Sequence, residues 1–305
     1  YCYQNKNEKL MTTEVANMII EKIDRILNDN IFEGINIHYF GGEPLLNIPV
    51  LIYLDENIKK ITDKIGIVYK AFLTTNGSML SKELLQKVKF SSIQLTFDGL
   101  EKTHDRLRVS DHFHFKEEIE LIENIMNFSQ AKVLLRTNIC KENKDEIIAL
   151  HKYIFEKFGN ERIEINPNRT IKYHQDDSFE MLSVQEYAEV AYQIKLLWSE
   201  QKGKFELPVP RSTPCKFPYG NAYAISPEGY CTFCSGSMDQ EKKYFFDVDI
   251  ENKKMFSVRK ERKKCNILPL CLGGCIIQYN LRAGACTYEK YELKNILISY
   301  IKHIS

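Results

Sequence analysis

Ile35-Asn36-Ile37-His38-Tyr39-Phe40-Gly41-Gly42-Glu43-Pro44 is the stretch on which the reading of this chain turns. Apolar and polar residues alternate through Phe40 and stop at two glycines, the pattern of a strand that ends in a loop. Just upstream, Val15, Met18, Ile19, Ile23, Ile26 and Leu27 recur at the i, i+3, i+4 spacing of an amphipathic helix. That helix is expected over residues 13–30, with Thr12 or Thr13 as its cap. Downstream, helical stretches near 49–63, 81–88, 116–128 and 143–158 alternate with strand-like runs near 67–75, 91–97, 133–139 and 162–166. Strand, helix and strand joined by short loops imply βαβ units and a parallel sheet. Five strands are visible, and the opening loop and helix should follow a sixth. A curved, partly closed barrel fits this better than an open doubly wound sheet, although periodicity alone does not separate the two.

In such sheets chemistry sits in the loops after the carboxyl ends of the strands. Four successive strands here end in polar groups: Gly41-Gly42-Glu43-Pro44, Leu73-Thr74-Thr75-Asn76-Gly77, Leu95-Thr96-Phe97-Asp98-Gly99 and Arg136-Thr137-Asn138. Each alone reads as an ordinary turn or cap. Together, at one end of one sheet, they read as a ligand-binding rim.

Composition narrows the class. The 305 residues carry 42 basic and 41 acidic side chains, a formal charge of +1, which argues against a global field for nucleic acid or membrane. No apolar run approaches the roughly 20 residues of a membrane helix, and Tyr1-Cys2-Tyr3-Gln4-Asn5-Lys6 is not a signal peptide. A soluble, cytoplasmic protein is therefore expected. Nine cysteines stand out: Cys2 and Cys140 alone in the first two hundred residues, then seven between Cys215 and Cys286. An odd, clustered set in a reducing compartment points to metal rather than to a disulfide framework. Gly203, Pro208, Pro210 and Pro214 punctuate the chain where the composition changes, so a boundary is expected near 200–210.

Tyr1-Cys2-Tyr3 followed by His38 to Pro44 resembles the radical S-adenosylmethionine enzymes. The resemblance implies a partial (β/α)6 TIM-like barrel over residues 1–180. It also implies a [4Fe–4S] cluster held by C-x3-C-x2-C, of which Cys2 is the last cysteine. The other two ligands and the first strand would lie upstream of residue 1. Gly41, Gly42, Glu43 and Pro44 match the motif that meets the methionine amine of S-adenosylmethionine. A carboxylate there can accept hydrogen bonds from that amine. Asn76, Thr96, Asp98 and Asn138 occupy strand-end positions that resemble those near the cofactor's ribose and carboxylate in the family.

The later cysteines resemble the SPASM extension of the same superfamily. Cys215 is followed by Gly229 and Cys234, then by Cys265, Cys271 and Cys275, and finally by Cys286. A helical bridge over 181–210 and a small cysteine-rich iron–sulfur domain over 211–305 follow from it, with one or two auxiliary [4Fe–4S] clusters. Soft thiolates suit such clusters. The family's ligation would place Cys215, Cys234 and Cys275 on one, and Cys265, Cys271 and Cys286 on the other. The family's C-x2-C pair is interrupted by Arg262, which cannot ligate iron. Cys231 either completes the first cluster or is a structural thiol. Cys140 matches no motif and reads as a buried structural thiol. For the cysteine-rich part taken alone, zinc bound by four thiolates is the rival reading.

The resemblance implies reductive cleavage of S-adenosylmethionine to a 5′-deoxyadenosyl radical and modification of a ribosomally made peptide, by a thioether or carbon–carbon cross-link. A peptide or protein substrate, and an electron donor such as flavodoxin or ferredoxin, would be its partners, with neither nucleic acid nor membrane. No residue is assigned as catalytic base. One alternative is formylglycine formation of the sulfatase-maturase type, disfavoured by Ser235 where relatives carry aspartate. The other is a non-catalytic iron–sulfur or zinc protein that binds a peptide. His104, His112 and His114 read as loop histidines. The basic run from Lys253 to Lys264 reads as a solvated segment that could meet an acidic peptide.

Overall fold

A computed structural model of the chain describes residues 9–29, 31–110, 112–159, 162–172, 179–212, 215, 222–232, 243–248, 264–272, 274 and 287–304. Helix α1 (Thr13–Asp29) begins at Thr12, whose carbonyl accepts from Ala16 and whose Oγ1 lies 3.4 Å from the Val15 amide. It buries Ala16, Ile19, Ile23 and Leu27, the stripe that its periodicity predicts.

Five parallel strands follow: β1 (Gly34–Tyr39), β2 (Val68–Thr74), β3 (Phe90–Thr96), β4 (Lys132–Ile139) and β5 (Ile163–Arg169). Their spatial order is their chain order, and every neighbouring pair is parallel. A doubly wound sheet reverses its strand order at a switch point; this one does not. The singly wound order is that of a partial (β/α) barrel, the architecture expected.

The crossovers carry α2 (Ile48–Ile65), α3 (Lys82–Lys87), the short α4 (Glu101–Leu107), α5 (Phe115–Phe128) and α6 (Lys144–Phe158). Their apolar faces and one face of the strands make a single core, in which Ile93, Leu95, Val133 and Leu135 meet Ile122, Ile125, Ile147 and Leu150. Because strand side chains alternate, the residues between these point to the opposite, concave face.

Two of the three histidines expected in loops lie elsewhere. His104 lies in α4 and is buried, its ring against Phe97 and Phe115. His114 occupies the N-cap of α5, with its amide donating to Glu117. Only His112 lies in the connecting loop. Local periodicity is too short in a seven-residue helix to separate it from a loop.

Helix α7 (Val184–Lys202) falls within the expected bridge. It starts at a capping box between Ser183 and Glu186. A three-stranded antiparallel sheet follows, β6 (Ala224–Ile225), β7 (Tyr230–Thr232) and β8 (Lys243–Tyr244). The β6–β7 turn needs Gly229, whose φ is 85°, a left-handed conformation that glycine adopts without strain. Cys231, Phe245 and Val248 pack with Ile19, Ile23, Leu27 and Ile58, which ties this small sheet to α1 and α2. A one-turn helix (Leu268–Cys271) and a final helix (Glu289–Ile304) complete the described elements. The final helix lies on α7, where Lys195 Nζ donates to both carboxylate oxygens of Glu292 at 2.7 and 2.9 Å. No described helix is long and apolar enough to cross a membrane.

Candidate active site

The sequence places its distinctive residues at the carboxyl ends of β1 to β4, and the structure brings these ends together at one rim. After β1 the chain turns at Gly41, with φ of 157°, and Gly42. A Cβ at either would meet no atom within 4 Å, so both glycines border open space. Pro44 opens the 3-10 turn Pro44–Asn47, where its missing N–H costs nothing.

Glu43 is the brace of this loop. Its Oε1 accepts from Thr75 Oγ1 at 2.6 Å and from the Leu45 amide at 3.1 Å, and its Oε2 from the Asn76 amide at 2.7 Å. The carboxylate expected to meet a cofactor amine therefore holds the loop against the end of β2. Asn76 uses its own Oδ1 on Ser78, accepting from the amide at 2.9 Å and the hydroxyl at 2.8 Å, which closes the turn.

The third and fourth strand ends are joined beneath the surface. Asp98 is 0% exposed, and its Oδ1 accepts from the Asn138 amide at 3.1 Å. Arg108 Nη1 lies 3.7 Å from Asp98 Oδ2. Buried Asn143 donates through Nδ2 to the carbonyls of Asp98 and Asn138, both at 2.8 Å. Its Oδ1 accepts from the Cys140 amide at 2.9 Å. Cys140 itself is buried, and desolvation pushes its thiol up to about 12. Thr96, nearly buried, ends β3 on the concave face.

Behind Asp98 lies a further pair. His104 Nε2 is 3.1 Å from Glu118 Oε2, and the Asp98 amide donates to His104 Nδ1 at 3.4 Å. Glu118 is fully enclosed, and burial raises its pKa against the opposing bond from His104. These groups brace the β3 end from its outer side.

The sequence assigns no individual role to four residues of this region. Thr75 links Glu43 to β2, Asn143 links β3 to β4, and His38 and Arg136 lie on the concave face. His38 Nε2 is 2.8 Å from Thr74 Oγ1, and burial lowers its pKa, so its ring is neutral near pH 7. Strand parity is the signal that finds the last two: His38 shares a face with Phe40, and Arg136 with Asn138.

Of the candidate metal ligands, Cys2, Cys234, Cys275 and Cys286 lie outside the described residues, as does Arg262. Cys231 and Cys271 are buried, and Cys215 and Cys265 are half-buried. Cys231 is buried in the apolar cluster with α1, and desolvation pushes its thiol up to about 11. Among the described residues, no group of three or more potential ligands converges.

A singly wound parallel sheet with glycines, hydroxyls and amides gathered at its carboxyl rim is the layout of a barrel-type protein with a polar rim. The family model described as the radical SAM superfamily matches residues 1–154, half of the chain. The chain belongs to that superfamily, and is an enzyme of it. Membership implies S-adenosylmethionine and a [4Fe–4S] cluster. The open space beside Gly41 and Gly42, next to polar strand ends, fits the cofactor, because side chains there would fill it.

Solved structures agree in fold. Native anSMEcpe with bound AdoMet is 17% identical with a TM-score of 0.71, over 99% of this chain and 93% of that one. The same protein with AdoMet and the Kp18Cys peptide is 19% identical at 0.71, covering 98% and 91%. Streptococcus suis SuiB bound to S-adenosylmethionine is 16% identical at 0.57, covering 94% and 69%. No curated protein sequence matches the chain.

Proposed function

We propose that this chain is a cytoplasmic radical S-adenosylmethionine peptide maturase. Its barrel would occupy residues 1–180, a bridge 181–210 and a SPASM-type module 211–305. The observation that carries the reading is the Gly41–Pro44 loop, braced by Glu43 against β2 and open to a space at the rim. The fold likeness to anSMEcpe, which has been solved with a peptide bound, supports a peptide or protein as substrate.

When bound, the cluster and S-adenosylmethionine supply a radical able to take a hydrogen atom from an unactivated C–H bond. Cys2 would be one ligand of that cluster. Gly41 and Gly42 would let the backbone approach the methionine end, and Glu43 would hold them there. Asn138, set by Asp98 and Asn143, would line the other side with Thr96. The concave face would receive the peptide.

In the second module, Cys215, Cys234, Cys265, Cys271, Cys275 and Cys286 would hold one or two auxiliary clusters. The apolar packing of Cys231 supports the structural role among its two alternatives. A thioether or carbon–carbon cross-link removes two hydrogens overall, so an electron sink beside the substrate is chemically apt. Flavodoxin or ferredoxin would supply the reducing electron. Formylglycine formation stays disfavoured on Ser235, which lies outside the described residues.

Anaerobically reconstituted and reduced protein should convert S-adenosylmethionine to 5′-deoxyadenosine, measured by chromatography. Cys2→Ala should abolish this, whereas Cys271→Ala should spare cleavage more than peptide product. Cleavage retained in Cys2→Ala would refute its ligand role.

A further inference from the structure

We propose that Arg136 is the specificity residue of the substrate cavity and binds a carboxylate of an acidic peptide; this rests on the peptide-maturase reading. Val133 and Leu135 of β4 lie in the helix-packed core, so Leu134, Arg136 and Asn138 project from the concave face. Arg136 pairs in register with Thr96 on one side and Asn166 on the other. Two residues before Asn138, it sits about 7 Å below the rim, at roughly 3.3 Å per residue. A substrate entering past the cofactor would reach it next.

The guanidinium is held in place but not neutralised. Its Nε donates to Asn138 Oδ1 at 2.9 Å, which fixes the plane and leaves the Nη pair without a partner among the described residues. Its surroundings are neutral amides and hydroxyls: Asn166 Nδ2 donates to Gln94 Oε1 at 3.1 Å, and Asn168 Nδ2 to Asn166 Oδ1 at 2.9 Å. The one acid among the described strand residues of this face, Glu164, is paired with Lys132 at 2.5 Å. Lys70 adds another cation toward the amino end of β2. Three cations against one anion make the described strand face net positive.

A guanidinium whose Nη groups lack an acid partner favours an anion, and a fixed planar fork matches a carboxylate bidentately. On the β1–β2 side, His38 lies 5.9 Å from Phe40 and 6.2 Å from Phe72, ring centre to ring centre. That aromatic wall suits an apolar neighbour of the acidic residue. The competing source of the same chemistry is the methionine carboxylate of the cofactor itself.

The test offers immobilised, reconstituted enzyme a randomised octapeptide library in the presence of S-adenosylmethionine, and sequences what is retained. The wild type should enrich Asp or Glu at one position by about threefold or more, the selectivity a single charge-assisted pair supports. Arg136→Gln should lose that enrichment. Arg136→Lys keeps the charge without the fork, and should weaken it about twofold or more; this variant decides if the glutamine protein does not fold. No acidic enrichment by the wild type, or undiminished enrichment in either folded variant, overturns the proposal. So does a loss of about tenfold in S-adenosylmethionine affinity by equilibrium dialysis without peptide, which would assign the fork to the cofactor. Failure of the wild type to form 5′-deoxyadenosine would instead refute the maturase reading.

Discussion

Glu43 shows how one side chain holds a site's loop in place. A carboxylate accepts and does not donate, and here three donors converge on it from Leu45, Thr75 and Asn76. Glu43→Gln keeps size but must turn an NH2 toward one of those donors. An unmet buried pair costs about 1–3 kcal/mol, which should loosen the loop and weaken S-adenosylmethionine binding by roughly tenfold. Equilibrium dialysis measures this, with a circular-dichroism melt to show that the barrel stays folded. Unchanged affinity would remove Glu43 from its bracing role. The motif made this residue visible; its pairing with Thr75 and Asn76 was not, because they lie more than thirty positions away in the chain.

At the scale of the element, strands and helices follow from periodicity, but their ends depend on distant residues. Arg162, just before β5, donates to the carbonyls of Ile125, Met126, Ser129 and Ala131 at 2.8 to 3.3 Å. These include orphan acceptors at the carboxyl end of α5 and in the turn into β4. Arg162→Ala should destabilise the barrel by about 2–4 kcal/mol, since several half-buried acceptors lose a charged donor together. Urea unfolding reads the total, and faster amide exchange confined to the last turn of α5 would locate it. The same dependence explains α4. Seven residues carry too little pattern to declare a helix, and the buried pair of His104 with Glu118 supplies the packing that local sequence lacks.

For the whole molecule, His151 joins three elements. Its Nδ1 accepts from Trp198 Nε1 of α7 at 3.0 Å, and its Nε2 lies 3.4 Å from Thr137 Oγ1 of β4. Burial lowers its pKa to about 3, so the folded protein keeps the ring neutral. The unfolded chain takes up a proton below pH 6.5, the ordinary value, and the folded one does not. Stability from this group is therefore full above pH 6.5 and is lost as pH falls toward 3, by up to about 1.4 kcal/mol per pH unit. Urea midpoints between pH 4 and 7 should fall less steeply in His151→Gln than in the wild type. Equal slopes would show that His151 does not govern the acid limb.

Alternation, 3.6-residue periodicity and the placement of glycines are properties of consecutive residues, so the sequence by itself determined the βαβ class, the strand positions and the rim at their carboxyl ends. The cysteine spacing likewise named candidate ligands before any coordinates. Only the tertiary structure decided that the sheet is singly wound, that Asp98 and Glu43 brace the rim with their carboxylates, and that Arg136 lies on the concave face with no acid partner among the described residues. Those facts depend on which residues meet across the sheet, over separations of 30 to 40 positions for Glu43 with Asn76 and Asp98 with Asn138. Packing of the whole chain sets such meetings, and no local pattern encodes them.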